Sequence, residues 1–226
     1  LIPAANVGPV SVFAYKAGDG LDIDGILTLP PGREAKALPV IILPHGGPHA
    51  HDEAQFDWWA QAFASRGYAV FQPNFRGSTN KGDAFMVAGY GQWGRKMQTD
   101  LSDGLAALAK AGIVDPSRAC IMGASYGGYA ALAGVTLQSG IYRCAVSVAG
   151  VSDLSELDRV KFARSGYSYM SRANWRETLG PPSGFDAVSP RRHAAQASAP
   201  ILLIHGENDT VVGYNHSRAM AEALRG

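Results

Sequence analysis

The sequence is short of charge, short of cysteine and without any long apolar run. Charged residues make up 17% of its 226 positions, the formal net charge is +1, and no basic cluster occurs. A nucleic-acid partner therefore has no electrostatic footprint to support it. Apolar stretches such as residues 40–43 and 201–204 are only of strand length. A helix crossing a bilayer needs roughly 20 apolar residues, so no membrane partner is expected. Cys120 and Cys144 are the only cysteines, each inside an apolar segment. Buried free thiols are the expectation, a disulfide the alternative. They leave the compartment open between cytoplasm and periplasm. Residues 1–9 have neither the basic flank nor the apolar core of a signal peptide, and the start reads as a cut point.

What is present suits one globular domain. Hydrophobic residues reach 46%, and a chain of this length buries a sizeable core. Residues 10–16 and 21–29 alternate partially around Gly18-Asp19-Gly20 and read as a hairpin. Residues 39–44 form a short continuous apolar strand of the kind buried on both faces of a parallel sheet. Strands and helices then alternate. Asp52 with Gln55 suggests a capped helix start, followed by Phe56, Trp59 and Phe63 on one face. Residues 68–72 are a strand, and Thr99 is placed to cap a helix with Leu101, Leu105 and Leu108 as its stripe. Strands are expected at 119–122, 145–149 and 201–204, and helices at 125–137 and 215–224. Residues 150–198, with Tyr167, Tyr169 and Trp175, show no clean period and read as an insertion of short helices and loops. The pattern implies an α/β class: a mostly parallel, doubly wound sheet with an antiparallel N-terminal hairpin.

The sharpest chemical signal is Gly123-Ala124-Ser125-Tyr126-Gly127, followed by Gly128. It matches the G-x-S-x-G nucleophile elbow and sits between a strand and a helix, as that motif requires. A tight strand-to-helix turn strains the serine backbone, so its neighbours must be small. The hydroxyl then projects above the sheet at a helix N-terminus, where negative charge is favoured. His45-Gly46-Gly47-Pro48 follows another strand, and the N–H groups of Gly47 and Tyr126 are candidates for an oxyanion hole. His205-Gly206-Glu207-Asn208-Asp209 follows the last strand. Asp209 fits the order Ser, acid, His; Glu207 is the competing acid, and a solvated turn carboxylate is the plain alternative. His45, His49, His51 and Asp52 lie close together, but their spacing lacks a metal-ligand pattern and exposed loop histidines are the expectation. His193 and His216 read as surface residues. No cofactor and no metal is implied.

Together GASYGGY (123–129), HGGP (45–48), NFRGS (74–78) and HGENDTVV (205–212) resemble the prolyl oligopeptidase family of serine peptidases, nearest its acylaminoacyl-peptidase and dipeptidyl-peptidase branches. The resemblance implies an α/β-hydrolase fold, Ser125 as nucleophile, Asp209 as triad acid, Gly47 and Tyr126 as oxyanion donors, and short peptides as substrates. It also implies that residues 150–198 form a wall of the specificity pocket. A triad histidine should follow the acid, yet only His216 does, inside the last helix. The base is therefore expected beyond residue 226, together with a last strand and helix. Their removal would expose a sheet edge open to self-association. The same triad cleaves esters, so a carboxylesterase is the rival reading, and a non-catalytic binding module is the third.

Overall fold

The computed structural model describes residues 3–163 and 175–226. Its strands are β1 (Val10–Lys16), β2 (Asp22–Thr28), β3 (Leu38–Ile42), β4 (Ala69–Asn74), β5 (Val114–Ala124), β6 (Cys144–Val148) and β7 (Ile201–Ile204). They form one sheet in the order β1-β2-β4-β3-β5-β6-β7. β1 and β2 pair antiparallel, as do β2 and β4. All remaining neighbours pair parallel. The hairpin and the mostly parallel, doubly wound sheet are thus as the sequence suggests. The helices are α1 (Trp58–Ala64), α2 (Asp83–Val87), α3 (Lys96–Lys110), α4 (Tyr126–Thr136), α5 (Leu154–Ala163) and α6 (Asn215–Arg225). Tyr167 and Tyr169 lie outside the described residues.

Alternation along the strands feeds both faces of the sheet. Val40, Ile42 and Phe71 join Leu101, Leu105 and Leu108 of α3 in the larger core. Ile41, Leu43 and Val70 point the other way, onto Trp59 and Phe63 of α1. The β3 and β4 segments read as unbroken apolar runs because both faces are covered. Full burial of each large side chain contributes about 1.5–3 kcal/mol. At the far edge, β7 turns Ile201 and Leu203 toward α6, while Leu202 and Ile204 are exposed.

Four sequence expectations need correction. α1 starts at Trp58, capped by Asp57, whose carboxylate accepts from the Ala60 N–H at 2.8 Å. Asp52 is held instead in the preceding loop, its N–H donating to Asn74 Oδ1 at 2.8 Å; Phe56 precedes the helix and is exposed. α3 starts at Lys96, and Thr99 lies within it, its hydroxyl donating to the Lys96 carbonyl. The stripe of Leu101, Leu105 and Leu108 is buried as its spacing suggests. Cys120 and Cys144 are not free thiols. The register of β5 and β6 sets them opposite each other, and they form a disulfide across 24 residues. Finally, His216 is not on the surface; it is 3% exposed.

The chain after β4 is anchored by a buried ion pair. Arg76 binds Asp100 of α3 through Nε at 2.8 Å and Nη2 at 2.7 Å, and its own N–H adds a third bond. The guanidinium also reaches Asp19 in the β1–β2 turn. Together with Lys96, it holds the Asp19 carboxyl far below the usual carboxylate range. This clamp ties the hairpin, the chain after β4 and α3 together.

Candidate active site

Ser125 is the residue between β5 and α4, and its backbone is bent sharply. It sits at φ 55° and ψ −116°, the left-handed side of φ that a non-glycine residue adopts only when its surroundings enforce it. Its N–H donates to the Val148 carbonyl at 2.9 Å, which pins the turn to the end of β6. The surrounding glycines have no room for a side chain. A Cβ on Gly127 would lie 2.1 Å from the Pro44 oxygen, and one on Gly123 would lie 2.5 Å from the Gly127 carbonyl carbon. The spacing of the motif is thus a packing requirement, because β3, β5 and α4 meet backbone to backbone. The Ser125 side chain does not cap the helix. Its hydroxyl stands beside first-turn N–H groups that have no intrahelical acceptor.

The Gly46-Gly47 loop lies against this turn. A Cβ on Gly46 would be 3.6 Å from the Ser125 Cβ, and Gly47 has φ 118°. His45 holds the loop from behind: its Nδ1 contacts the Gly46 carbonyl at 2.7 Å and Nε2 contacts Ser78 Oγ at 2.8 Å. The ring stacks on Phe75, with centroids 4.4 Å apart. Burial lowers its pKa to about 4, so the imidazole is neutral, with Nδ1 carrying the proton given to Gly46. His45 is therefore a fixed part of this loop and not an exposed histidine. His51, by contrast, spends its two nitrogens on Thr79 and Glu53. Among the described residues, no group of three or more His, Cys, Asp or Glu is arranged to hold a metal ion. No helix among them is long and apolar enough to cross a membrane.

Asp209 shapes the loop after β7. Its Oδ1 accepts from the Val211 and Val212 N–H groups at 2.8 and 3.0 Å. Its other oxygen lies 3.7 Å from His205 Nε2. His205 is fully engaged, with Nε2 donating to the Val212 carbonyl and Nδ1 accepting from Ser217 Oγ. Glu207, the other candidate acid, is exposed.

Ser125, Tyr126 and Gly47 border one cleft of about 270 Å³, and residues 210–213, just after Asp209, border it too. Asp209 itself is not among the lining residues. Val151, Leu157, Val160 and Trp175 come from the 150–198 insertion and make an apolar wall. Tyr126 is buried among Phe75, Trp93 and Tyr129. His216 also borders the cleft, which sequence reasoning missed. The signal was available: Val212, His216 and Met220 are spaced by four, and all three are buried. His216 Nδ1 accepts from the Ser152 N–H at 3.2 Å, so in the neutral ring the proton sits on Nε2. In that tautomer Nε2 has no lone pair to receive a proton from Ser125, and the lone pair of Nδ1 is taken by Ser152.

The sequence model of the prolyl oligopeptidase family matches residues 54–226. The chain belongs to this family. It is 34% identical over 217 residues to dipeptidyl aminopeptidase BIII of Pseudoxanthomonas mexicana, covering 92% of this chain and 32% of that protein. A puromycin-hydrolyzing peptidase of Mycobacterium tuberculosis superposes with a TM-score of 0.88 at 30% identity, over 99% of this chain and 34% of that one. An acylaminoacyl peptidase solved in complex with Z-Gly-Gly-Phe-chloromethyl ketone superposes with a TM-score of 0.85 at 26% identity, over 97% and 35% of the two chains. These neighbours share the α/β-hydrolase fold. The chain spans about a third of the length of the relatives it matches.

Proposed function

We propose that this chain carries the nucleophilic site of a serine peptidase that cleaves short peptides through an acyl-enzyme. The observation that carries the reading is the strained Ser125 backbone at the start of α4, opening onto a cleft shared with Gly47 and Tyr126. Ser125 Oγ attacks the carbonyl carbon of the scissile bond as its proton passes to an imidazole. The carbonyl oxygen takes up negative charge and is held by the N–H groups of Gly47 and Tyr126. Collapse of the tetrahedral species breaks the C–N bond, the imidazole returns the proton to the leaving amine, and water then hydrolyses the acyl ester.

Asp209 is proposed to orient that imidazole. Two backbone N–H groups fix its Oδ1, leaving Oδ2 to accept from the ring. The base is a histidine other than His45 and His205, whose nitrogens are all engaged, or His216, whose tautomer is wrong for the task. The relative solved with a peptide chloromethyl ketone supports a peptide as the occupant of the corresponding cleft. The test is turnover of peptidyl 4-nitroanilides and short acyl esters by the whole protein and its Ser125→Ala variant. The expected result is anilide turnover that falls on the order of a million-fold in the variant. Ester turnover alone would leave a carboxylesterase.

A further inference from the structure

The cleft has an apolar wall, but its polar groups are unusually underused. Tyr126 Oη and Trp93 Nε1 are buried without a hydrogen-bond partner among the described residues, and both residues border the cleft. His216 borders it too, 3% exposed, with Nδ1 committed to the Ser152 N–H. Its backbone carbonyl accepts from Ser152 Oγ at 2.8 Å, so the ring and main chain are held on the same partner. Nε2, carrying the proton, makes no hydrogen bond to a described residue and is the ring nitrogen left for the cleft. Donors buried without acceptors are costly, and a site so built discriminates against ligands that leave them unpaired.

Resting on the peptidase reading, we propose that His216 is a specificity-determining residue. Its Nε2–H donates to a neutral oxygen at the tip of the substrate side chain next to the scissile carbonyl, so the cleft favours an apolar stem ending in a phenol or amide. The charges around the ring select a neutral group. The negative charges of Glu156 and Asp153 act on His216 more strongly than the opposing His205 and Arg191, which disfavours an acidic side chain. Glu156 is already bonded by Asn215 and Arg159, and Asp153 is paired with Arg191 and Arg192. A basic side chain would therefore meet a donor at Nε2 and find both carboxylates occupied. Burial lowers the His216 pKa, which keeps the ring neutral and the donor on Nε2.

The test compares peptidyl 4-nitroanilides that differ only in Tyr or Phe before the anilide. One hydrogen bond to a neutral acceptor is expected to favour Tyr about three- to tenfold in kcat/KM. His216→Phe keeps an aromatic ring and removes the donor, so the Tyr-to-Phe ratio falls to about one. His216→Gln restores an acceptor for Ser152 and a donor for the cleft, so the ratio returns. A purely structural histidine would lower both substrates together and leave the ratio unmoved, overturning the proposal. A wild-type ratio of one would do the same. Binding of the matching Tyr and Phe peptides to the Ser125→Ala protein reads the preference without turnover. If Tyr is preferred there while wild type cleaves neither anilide, the His216 inference stands and the peptidase reading falls.

Discussion

Replacing Gly127 with alanine tests the elbow by a single carbon atom. In an exposed helix interior this change stabilises by about 1 kcal/mol. Here the new Cβ would lie 2.1 Å from the Pro44 carbonyl oxygen, a backbone atom just after β3, so that backbone and α4 must move apart. Their separation must grow by about 1 Å, and overpacking of a well-filled interior costs about 1–3 kcal/mol. The clash therefore offsets the helix gain and leaves a net loss of up to about 2 kcal/mol. At 2–4 °C per kcal/mol, Tm should fall by up to roughly 8 °C. The functional loss should be much larger, because a 1 Å misplacement of reacting groups costs about a hundredfold. Calorimetry and the rate of fluorophosphonate labelling read the two effects separately. Gly206→Ala, where a Cβ meets nothing within 4 Å, is the matched control. Wild-type Tm and labelling rate in Gly127→Ala would refute the packing argument.

Three further outcomes follow from buried interactions. Arg76→Met should cost about 3–5 kcal/mol by leaving Asp100, which is fully buried, without its partner. Adding Asp100→Leu should recover part of that loss in urea unfolding, whereas an additive double variant would contradict the clamp. Reduction of Cys120–Cys144 should lower stability by about 3 kcal/mol, given a separation of 24 residues; an unchanged denaturation midpoint under reductant would count against the bond. Burial, with Asp57 nearby, pushes the Asp52 carboxyl up to about 6. The folded state then holds a proton that the unfolded chain has released, so stability falls as pH rises from about 4 to 6. Asp52→Asn should flatten that slope and gain about 2–3 kcal/mol at pH 7, as read from urea midpoints at pH 4.5 and 7.5.

What was legible in the sequence was what is local. The elbow depends on residues within two positions of Ser125, and the continuous apolar runs of β3 and β4 reflect burial on both faces. What was not legible depends on register or distant partners. Cys120 and Cys144 bond because β5 and β6 align them, which neither segment encodes alone. Asp52 and Asp57 both precede the α1 stripe; Asp57 caps the helix, while Asp52 is held by Asn74, 22 residues away. The role of Arg76 becomes visible only when α3 brings Asp100 beneath it. His216 was misplaced for a different reason. A polar residue in an amphipathic helix was read by its type, although its spacing from Val212 and Met220 put it on the buried face.

The central claim is that Ser125 is the nucleophile. Fluorophosphonate treatment of the whole protein, followed by proteolysis and mass analysis of the labelled peptide, tests it most directly. One adduct is expected, on the Ser125 hydroxyl, absent from Ser125→Ala and lost from Asp209→Ala at matched exposure. An adduct on another serine, or an unlabelled Ser125 in protein that turns over substrate, would contradict it.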